Sequence, residues 1–312
     1  VASGSNYALT IGGSYSNSGT FTARSGTVTF NATASGKTLA GTMVSPSVFY
    51  NLTFNGSCGQ WTPSSAVTVT NDLTMTAGTL LGTQNVTVNG HVAGTAGIIS
   101  LTGGVFNQRP NGVSKNFGTT SGSVDWTFYD LKFTNSSEDF GLTITTQTGG
   151  TGKINITNVL YITDFAIDIA STTLNAGNRT WVLSGTTGDP FQKASFGNLT
   201  PATSTFKYTG NNSGGNTTIE KTGSGYYNLE GNDGLVGYWK MDEGTAATCT
   251  GGADICDVSG NGNTGTRNGS GGSNNLPQWS TDVKSADYYG GSGSNPRSLN
   301  FDGTDDYVNV PD

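Results

Sequence analysis

The chain has few of the residue types that enzyme sites usually need. Its 312 residues include a single histidine, His91, which excludes a multi-histidine metal centre and leaves any Ser-His-Asp triad dependent on one residue. Residues 1–230 contain three glutamates, Glu138, Glu220 and Glu230, and the side chains of the neighbours Glu138 and Asp139 would point to opposite faces of a strand. No Gly-x-Ser-x-Gly or phosphate-loop motif occurs. We therefore expect the chain not to be an enzyme.

Charge is also scarce and unevenly placed. Charged residues make up 11% of the chain, and there is no run of apolar residues long enough to span a membrane. The formal net charge of −7 arises in residues 231–312, which carry eleven acidic and four basic side chains, whereas residues 1–230 carry ten of each. This pattern predicts neither a nucleic-acid partner nor a membrane span. Val1 is not an initiator methionine, which is typical of a mature chain or a fragment whose signal has been removed.

The three cysteines fall into one pair and one single residue. Cys249 and Cys256 enclose a short loop with two glycines that can close tightly, so we expect a disulfide and an oxidising, extracellular compartment. Two reduced thiols are the alternative. No Cys or His cluster offers a zinc site. Cys58 is then either a buried thiol or one half of an intermolecular disulfide.

A short aromatic phrase recurs in residues 1–230. Its copies are Val48-Phe-Tyr-Asn-Leu-Thr-Phe54, Thr127-Phe-Tyr-Asp-Leu-Lys-Phe133 and Gly225-Tyr-Tyr-Asn-Leu-Glu230. Around these copies, β-branched residues alternate with Thr and Asn in short runs that Gly, Asn and Ser interrupt, which indicates strands. Three partial copies in matching order predict a repeat architecture.

Two all-β architectures fit residues 1–230. One is a parallel β-solenoid with coils of about 20 residues, and the other is a set of tandem β-sandwiches. We expect the solenoid, because the turns are short and no Pro-rich linker separates domains. The region also resembles the Gly-, Thr- and Asn-rich repeats of prokaryotic surface proteins and adhesins. Period-2 alternation predicts the following inward-facing residues: Val28, Phe30, Phe49, Leu52, Phe54, Val67, Val69, Leu73, Val86, Val88, Phe128, Leu131, Ile154, Ile156, Leu160 and Leu229.

Residues 231–312 form the second expected domain. They contain Gly234-Leu-Val-Gly-Tyr-Trp-Lys-Met-Asp-Glu-Gly244, Asp257-Val-Ser-Gly-Asn-Gly-Asn-Thr-Gly265 and Ser298-Leu-Asn-Phe-Asp-Gly-Thr-Asp-Asp-Tyr-Val308. These phrases, in this order, resemble the opening of a laminin-G-like jelly roll, the concanavalin A-like lectin fold. The resemblance implies an extracellular domain that binds glycans or surfaces. The family's domain is longer than this segment, so we expect either missing residues or a neighbouring subunit to complete the fold.

The resemblance also implies a calcium site, because jelly rolls of this class often hold Ca²⁺. Calcium takes six to eight oxygen ligands from carboxylates, amides and carbonyls. The segment offers oxygen-bearing side chains near its glycine-rich turn and in its last phrase; they belong to Asp242, Glu243, Asp257, Asn261, Asn263, Asp302 and Asp305, with Asp306 beside them. The alternative is that these residues only form turns, since Asp and Asn side chains often bond to their own backbone.

Asn-x-Ser/Thr sequons are numerous, but composition alone accounts for most of them. There are eleven in the sequence, at Asn31, Asn51, Asn55, Asn85, Asn135, Asn155, Asn178, Asn198, Asn211, Asn216 and Asn268. Several would be accessible if the source glycosylates its surface proteins.

Three functions are open at this stage. The first is an extracellular structural or adhesive surface protein, with a β-repeat region and a lectin-like domain, that binds glycans, other surface proteins or copies of itself as a filament or sheath. The second is a carbohydrate-binding module region of a larger polysaccharide-active enzyme. The third, a polysaccharide-cleaving β-solenoid, would need a carboxylate cluster on one face. We expect the first.

Overall fold

A computed structural model describes most of the first 230 residues and selected parts of the remainder. The described residues are 6–136, 141–163, 171–186, 188–210, 219, 225–231, 239, 243, 249, 252–257, 263–269, 276–281, 298–302 and 305–310. The chain divides into two compact units, Val1–Glu230 and Gly231–Asp312. All regular structure in the described residues is β. None of these residues belongs to a helix that could cross a membrane.

The strands of the first unit are short, with two exceptions, the 13-residue β5 and the 10-residue β7. In chain order they are β1 Leu9–Ile11, β2 Tyr15–Asn17, β3 Thr27–Phe30, β4 Lys37–Gly41, β5 Asn51–Pro63, β6 Val67–Val69, β7 Leu73–Gly82, β8 Val86–Val88, β9 Val92–Gly94, β10 Ile98–Leu101, β11 Val105–Gln108, β12 Lys115–Thr119, β13 Trp126–Phe128, β14 Asp130–Phe133, β15 Leu142–Thr146, β16 Ile154–Ile156, β17 Leu160–Ile162, β18 Thr172–Asn175, β19 Thr180–Leu183, β20 Phe191–Lys193, β21 Gly197–Thr200, β22 Thr205–Tyr208 and β23 Asn228–Glu230.

All strand pairings described in this unit are parallel, and they form three stacks. Stack A contains β1, β3, β5, β7, β9, β12, β15, β18 and β21. Stack B contains β2, β4, β5, β7, β10, β13, β16, β19, β22 and β23. Stack C contains β6, β8, β11, β14, β17 and β20. Because β5 and β7 are long enough to belong to both A and B, those stacks form one 17-stranded sheet, and stack C is a separate six-stranded sheet.

Successive strands from β8 to β22 lie in stacks C, A and B in turn, so each strand pairs with the strand three positions later. One such passage of the chain through stacks C, A and B is called a coil below. Register partners lie from 19 residues apart, as for Leu9 and Val28, to 31 residues apart, as for Leu160 and Phe191. Tandem immunoglobulin-like sandwiches would require antiparallel pairing. The parallel register in the described part of residues 1–230 therefore disagrees with the sandwich alternative.

The inward rows of the stacks form a continuous apolar core. Fifteen of the sixteen side chains predicted to face inward are buried. The prediction for Leu229 is wrong, because its side chain is 46% exposed. It lies on β23, and among the described strands β23 pairs with β22 alone.

Tryptophan rings pack in the core, and one of them lies against a glycine whose missing side chain leaves room for the ring. Trp61 lies so close to Gly78 that a Cβ built there would be 2.7 Å from its ring. Farther along stack B, Trp181 stacks on Phe206 with ring centroids 5.9 Å apart and planes inclined by 6°. Such contacts add to the hydrophobic stabilisation of burial.

The second unit is antiparallel where it is described. Its strands are β24 Thr266–Asn268, β25 Gln278–Ser280, β26 Ser298–Asn300 and β27 Tyr307–Asn309. Strand β24 pairs with β27, and β25 pairs with β26. Single antiparallel bridges join Trp239 to Asp257 and Ile255 to Gly265. This pairing differs in kind from the parallel stacks of the first unit.

Candidate functional sites

The only histidine is part of a hydrogen-bonded relay between coils. The carboxylate of Asp72 accepts a bond from the His91 backbone N–H at 2.8 Å. The imidazole Nδ1 of His91 in turn accepts a bond from the backbone N–H of Asn116 at 3.0 Å. One step earlier, the Asn51 side chain accepts bonds from the backbone of Asp72 and the side chain of Asn71. At these positions the backbone N–H groups of Asp72, His91 and Asn116 therefore donate to side chains of the preceding coil.

Other carboxylates of the first unit are used in the same way. Asp125 accepts a bond from the backbone N–H of Lys153 at 2.7 Å. One oxygen of Asp130 accepts bonds from the Asn158 side chain and the Val159 backbone, at 2.8 and 3.1 Å. Glu230 pairs with Lys207 across β22 and β23 at 3.7 Å. Glu138 and Asp139 lie outside the described residues. The described carboxylates here hold coils together and do not converge on a cleft.

Arg179 is a buried cation with backbone ligands. It is 2% exposed, and its guanidinium donates to the carbonyls of Gln147, Gly152 and Thr119 and to the hydroxyl of Thr119. Burial lowers the pKa of the guanidinium, because the charged form loses solvation. The three acceptor residues belong to the two preceding coils, so Arg179 links three coils.

The outward rows of the stacks are polar and largely neutral. In stack A, Thr10, Thr29, Thr53 and Thr74 are register partners on consecutive strands. Neighbouring strands lie about 4.8 Å apart, so these hydroxyls form a regular row. The outward row of stack C contains Thr68, Thr87, Asn107, Lys132, Tyr161 and Gln192.

The phenol of Tyr161 lies beside charged and aromatic neighbours on this row. Partial burial raises its pKa, and the nearby Asp130 carboxylate and the Tyr129 phenol act in the same direction. Tyr129 itself is among the exposed large hydrophobic side chains. The face therefore combines aromatic and hydrogen-bonding groups without a cluster of carboxylates.

In the second unit, one group of predicted calcium ligands comes together. The carboxylates of Asp302, Asp305 and Asp306 offer oxygens within 4.8 Å of one another. Asp306 accepts a bond from the Asp302 backbone N–H at 2.9 Å through one oxygen, while its other oxygen is buried without a hydrogen-bond partner in the structure. Three carboxylates at this spacing fit a hard cation such as Ca²⁺, although three residues supply only part of its usual ligand number.

The other predicted ligands lie near the glycine-rich turn. Asp257 accepts a bond from the Asn263 backbone N–H at 2.9 Å, as expected of a turn-forming carboxylate. One oxygen of Glu243 accepts a bond from the Cys256 backbone N–H at 2.7 Å, and its second oxygen is buried without a partner. Among the described residues, no group of acidic side chains within 4.8 Å joins this turn to Asp302, Asp305 and Asp306. Asp242 and Asn261 lie outside the described residues.

The predicted disulfide is confirmed, because Cys249 and Cys256 are bonded. This bond removes both sulfurs from the ligand set that they and Glu243 could otherwise form. Cys58 is a free, exposed thiol, so the alternative of a buried thiol is wrong. It lies in the part of β5, between Asn55 and Gln60, where the register with β7 shifts.

Sequence reasoning missed the buried ion pair of the second unit. Arg267 is 8% exposed and lies 3.4 Å from the carboxylate of Asp254. Its guanidinium also donates to the Pro277 carbonyl at 2.7 Å and lies 5.1 Å from the ring centroid of Trp279. The sequence signal was slight: Arg267 is one of only four basic residues in an acidic segment. Its contacts orient the strands, and we assign it no ligand.

No family model, curated protein or solved structure matches the chain. The likeness to laminin-G-like domains and to prokaryotic surface repeats therefore stays a prediction.

Proposed function

We propose that this chain is an extracellular structural or adhesive surface protein. In this proposal, residues 1–230 form a β-solenoid that presents polar rows, and residues 231–312 belong to a laminin-G-like jelly roll that recognises glycans. The observation that carries the proposal is the use of the described His91, Asp72, Asp125 and Asp130 as bonds between coils. Side chains that accept hydrogen bonds from neighbouring coils are poorly placed for acid–base catalysis, because that role needs a group free to exchange a proton with substrate.

Three further observations support the proposal. The parallel register with 19 to 31 residues per coil fits a solenoid, in which each coil contacts only its neighbours. The antiparallel strands of the second unit fit a jelly roll. The Cys249–Cys256 disulfide fits an oxidising location outside the cell.

Binding to glycans is tested with the intact chain on immobilised extracellular polysaccharides. We expect retention on at least one polysaccharide, weakened by substitutions in the second unit such as Asp305→Asn. Thr29→Lys, on the outward row of stack A, is the control variant in the first unit and should leave retention unchanged. Failure to bind any polysaccharide or any cell surface would contradict the adhesive function.

Calcium is part of this proposal, with Asp302, Asp305 and Asp306 as the first ligands. Because a ligand that binds only the folded state stabilises it, excess Ca²⁺ should raise the melting temperature of the second unit. Asp302→Asn with Asp305→Asn should remove that effect, whereas Asp189→Asn, an exposed carboxylate of the first unit, should leave it unchanged. An identical melting curve in Ca²⁺ and in chelator would contradict the calcium site.

Self-assembly is the remaining element. Phe301 and Tyr307 are exposed on the second unit, while Leu299 and Val308 are half-buried. In this proposal a strand of a neighbouring copy pairs with this apolar surface, and a contact of this head-to-tail kind propagates into a filament. Light scattering at micromolar concentration should then show growing particles. A stable monomer at that concentration would contradict self-assembly.

A further inference from the structure

We propose that Asn31 and Asn55 are attachment sites for N-linked glycans. Both belong to sequons, Asn31-Ala-Thr33 and Asn55-Gly-Ser57, and both lie at one corner of the first unit. Phe30 and Phe54 are register partners on β3 and β5, so the two asparagines follow on neighbouring strands. This inference rests on the proposed extracellular location, where the chain would pass a membrane-bound oligosaccharyltransferase.

The backbone at this corner turns both sequons outward. Their middle residues, Ala32 and Gly56, are buried, and a Cβ at Gly56 would collide with the Ala32 carbonyl. Asn55, Gly56 and Ser57 lie in β5, where successive side chains point to opposite sides, so burial of Gly56 directs Asn55 and Ser57 into solvent. Asn31 and Ala32 directly follow β3, and Thr33 lies at a bend. All four of these outer residues are exposed; they are Asn31, Thr33, Asn55 and Ser57.

The side chains of Asn31 and Asn55 do not hold the fold together through hydrogen bonds. Neither has a hydrogen bond in the described residues, whereas other sequon asparagines do. Asn85 accepts a bond from the Val105 N–H, and the Asn178 and Asn198 side chains donate to the carbonyls of Thr148 and Phe196. Asn135 is 1% exposed, so a glycan there is incompatible with the folded coil. Exposure and hydrogen bonding thus single out two of the described sequons.

The step is a glycosyl transfer from a lipid-pyrophosphate-linked oligosaccharide. The Nδ2 atom of the asparagine forms a bond to the anomeric carbon of the first sugar. The bond from that carbon to the pyrophosphate oxygen breaks, and the lipid pyrophosphate leaves with the electron pair. The amide nitrogen gives up one proton to the transferase. The Thr33 or Ser57 hydroxyl is the second recognition element of the acceptor.

The test uses the full chain secreted from a eukaryotic host, followed by glycopeptide mass spectrometry. We expect glycans on both Asn31 and Asn55, none on Asn135, and an increase in electrophoretic mobility after enzymatic deglycosylation. Asn31→Gln with Asn55→Gln should remove the glycans of this corner, and each single variant should retain the other site.

A hydroxyl variant separates recognition from folding. Thr33→Ala should abolish the glycan on Asn31, whereas Ser35→Ala, an exposed residue outside the sequon, should not. If either Asn31 or Asn55 is unmodified, with or without glycans elsewhere, the inference is wrong. That outcome leaves the proposed function standing, because polysaccharide binding and turnover are measured separately.

Discussion

Arg179 donates from its guanidinium to the carbonyl and the hydroxyl of Thr119, sixty residues earlier in the chain. The two residues lie two coils apart, and the coil between them supplies the Gln147 and Gly152 carbonyls. One side chain therefore donates to backbone acceptors from two coils. A buried acceptor without a donor costs about 1–3 kcal/mol, so this contact has a measurable effect on stability.

Replacing Arg179 by methionine should destabilise the first unit by about 3 kcal/mol, because several buried carbonyls lose their donor at once. Chemical denaturation followed by circular dichroism measures the loss. The matched control is Arg109→Met, an exposed arginine directly after β11 of stack C, which should change the midpoint little. Equal midpoints for the two variants would contradict the role of Arg179.

Glycine at position 78 should be indispensable for packing as well as for backbone conformation. Its φ is +81°, and an added Cβ would lie 2.5 Å from the Gly56 carbonyl and 2.7 Å from the Trp61 ring. Gly36 also has a positive φ, +74°, but has open space around it. We expect Gly36→Ala to cost about 1–2 kcal/mol from the left-handed conformation, and Gly78→Ala to cost about 1–3 kcal/mol more from overpacking. Denaturant titration of both variants checks the difference.

Removing the disulfide should loosen the second unit selectively. For the short loop between Cys249 and Cys256, the chain-entropy relation gives about 2.5 kcal/mol. Cys249→Ser with Cys256→Ser should therefore accelerate hydrogen exchange in peptides of residues 252–257 and 263–269, while stacks A to C keep their protection. Cys58→Ser, at an exposed thiol, is the control. Unchanged exchange in the double variant would contradict a stabilising role.

Tyr161 should ionise above the usual tyrosine range near pH 10, since burial, Asp130 and Tyr129 all raise its pKa. The neutral phenol is favoured in the folded state. Its contribution to stability is therefore fully present below about pH 10 and is lost as the pH rises through the higher folded pKa. The ultraviolet difference titration between wild type and Tyr161→Phe reports this group. A transition at or below pH 10 would show that the neighbours do not act as described.

The inward rows could be predicted from sequence because burial in a parallel stack follows strict alternation. Val28, Leu52 and Leu73 illustrate this, since they alternate with Thr and are also register partners. The recurring aromatic phrase did not predict which stack its residues occupy. Phe49 bridges to Val69 beside stack C, whereas Phe128 pairs with Ile156 in stack B. Coils of unequal length explain the difference, because a fixed sequence spacing does not keep a residue in the same stack.

The polar sites could be predicted only in part. Asp302, Asp305 and Asp306 come together because they lie within five residues of one another in the sequence. The partners of Arg179 and Arg267 lie in other coils or strands, and no local pattern announces them. The hydrogen bonds from Asp72 through His91 to Asn116 also join residues that are far apart in sequence, so the sequence did not predict them.

The central claim, that this chain acts as a binding surface and not by turnover, is tested most directly by its effect on polysaccharides. The intact protein is incubated with a panel of extracellular polysaccharides, and new reducing ends and unsaturated sugars are measured in the bound and free fractions. The account predicts polysaccharide that is retained but chemically unchanged. Products that increase with time and protein concentration would contradict it.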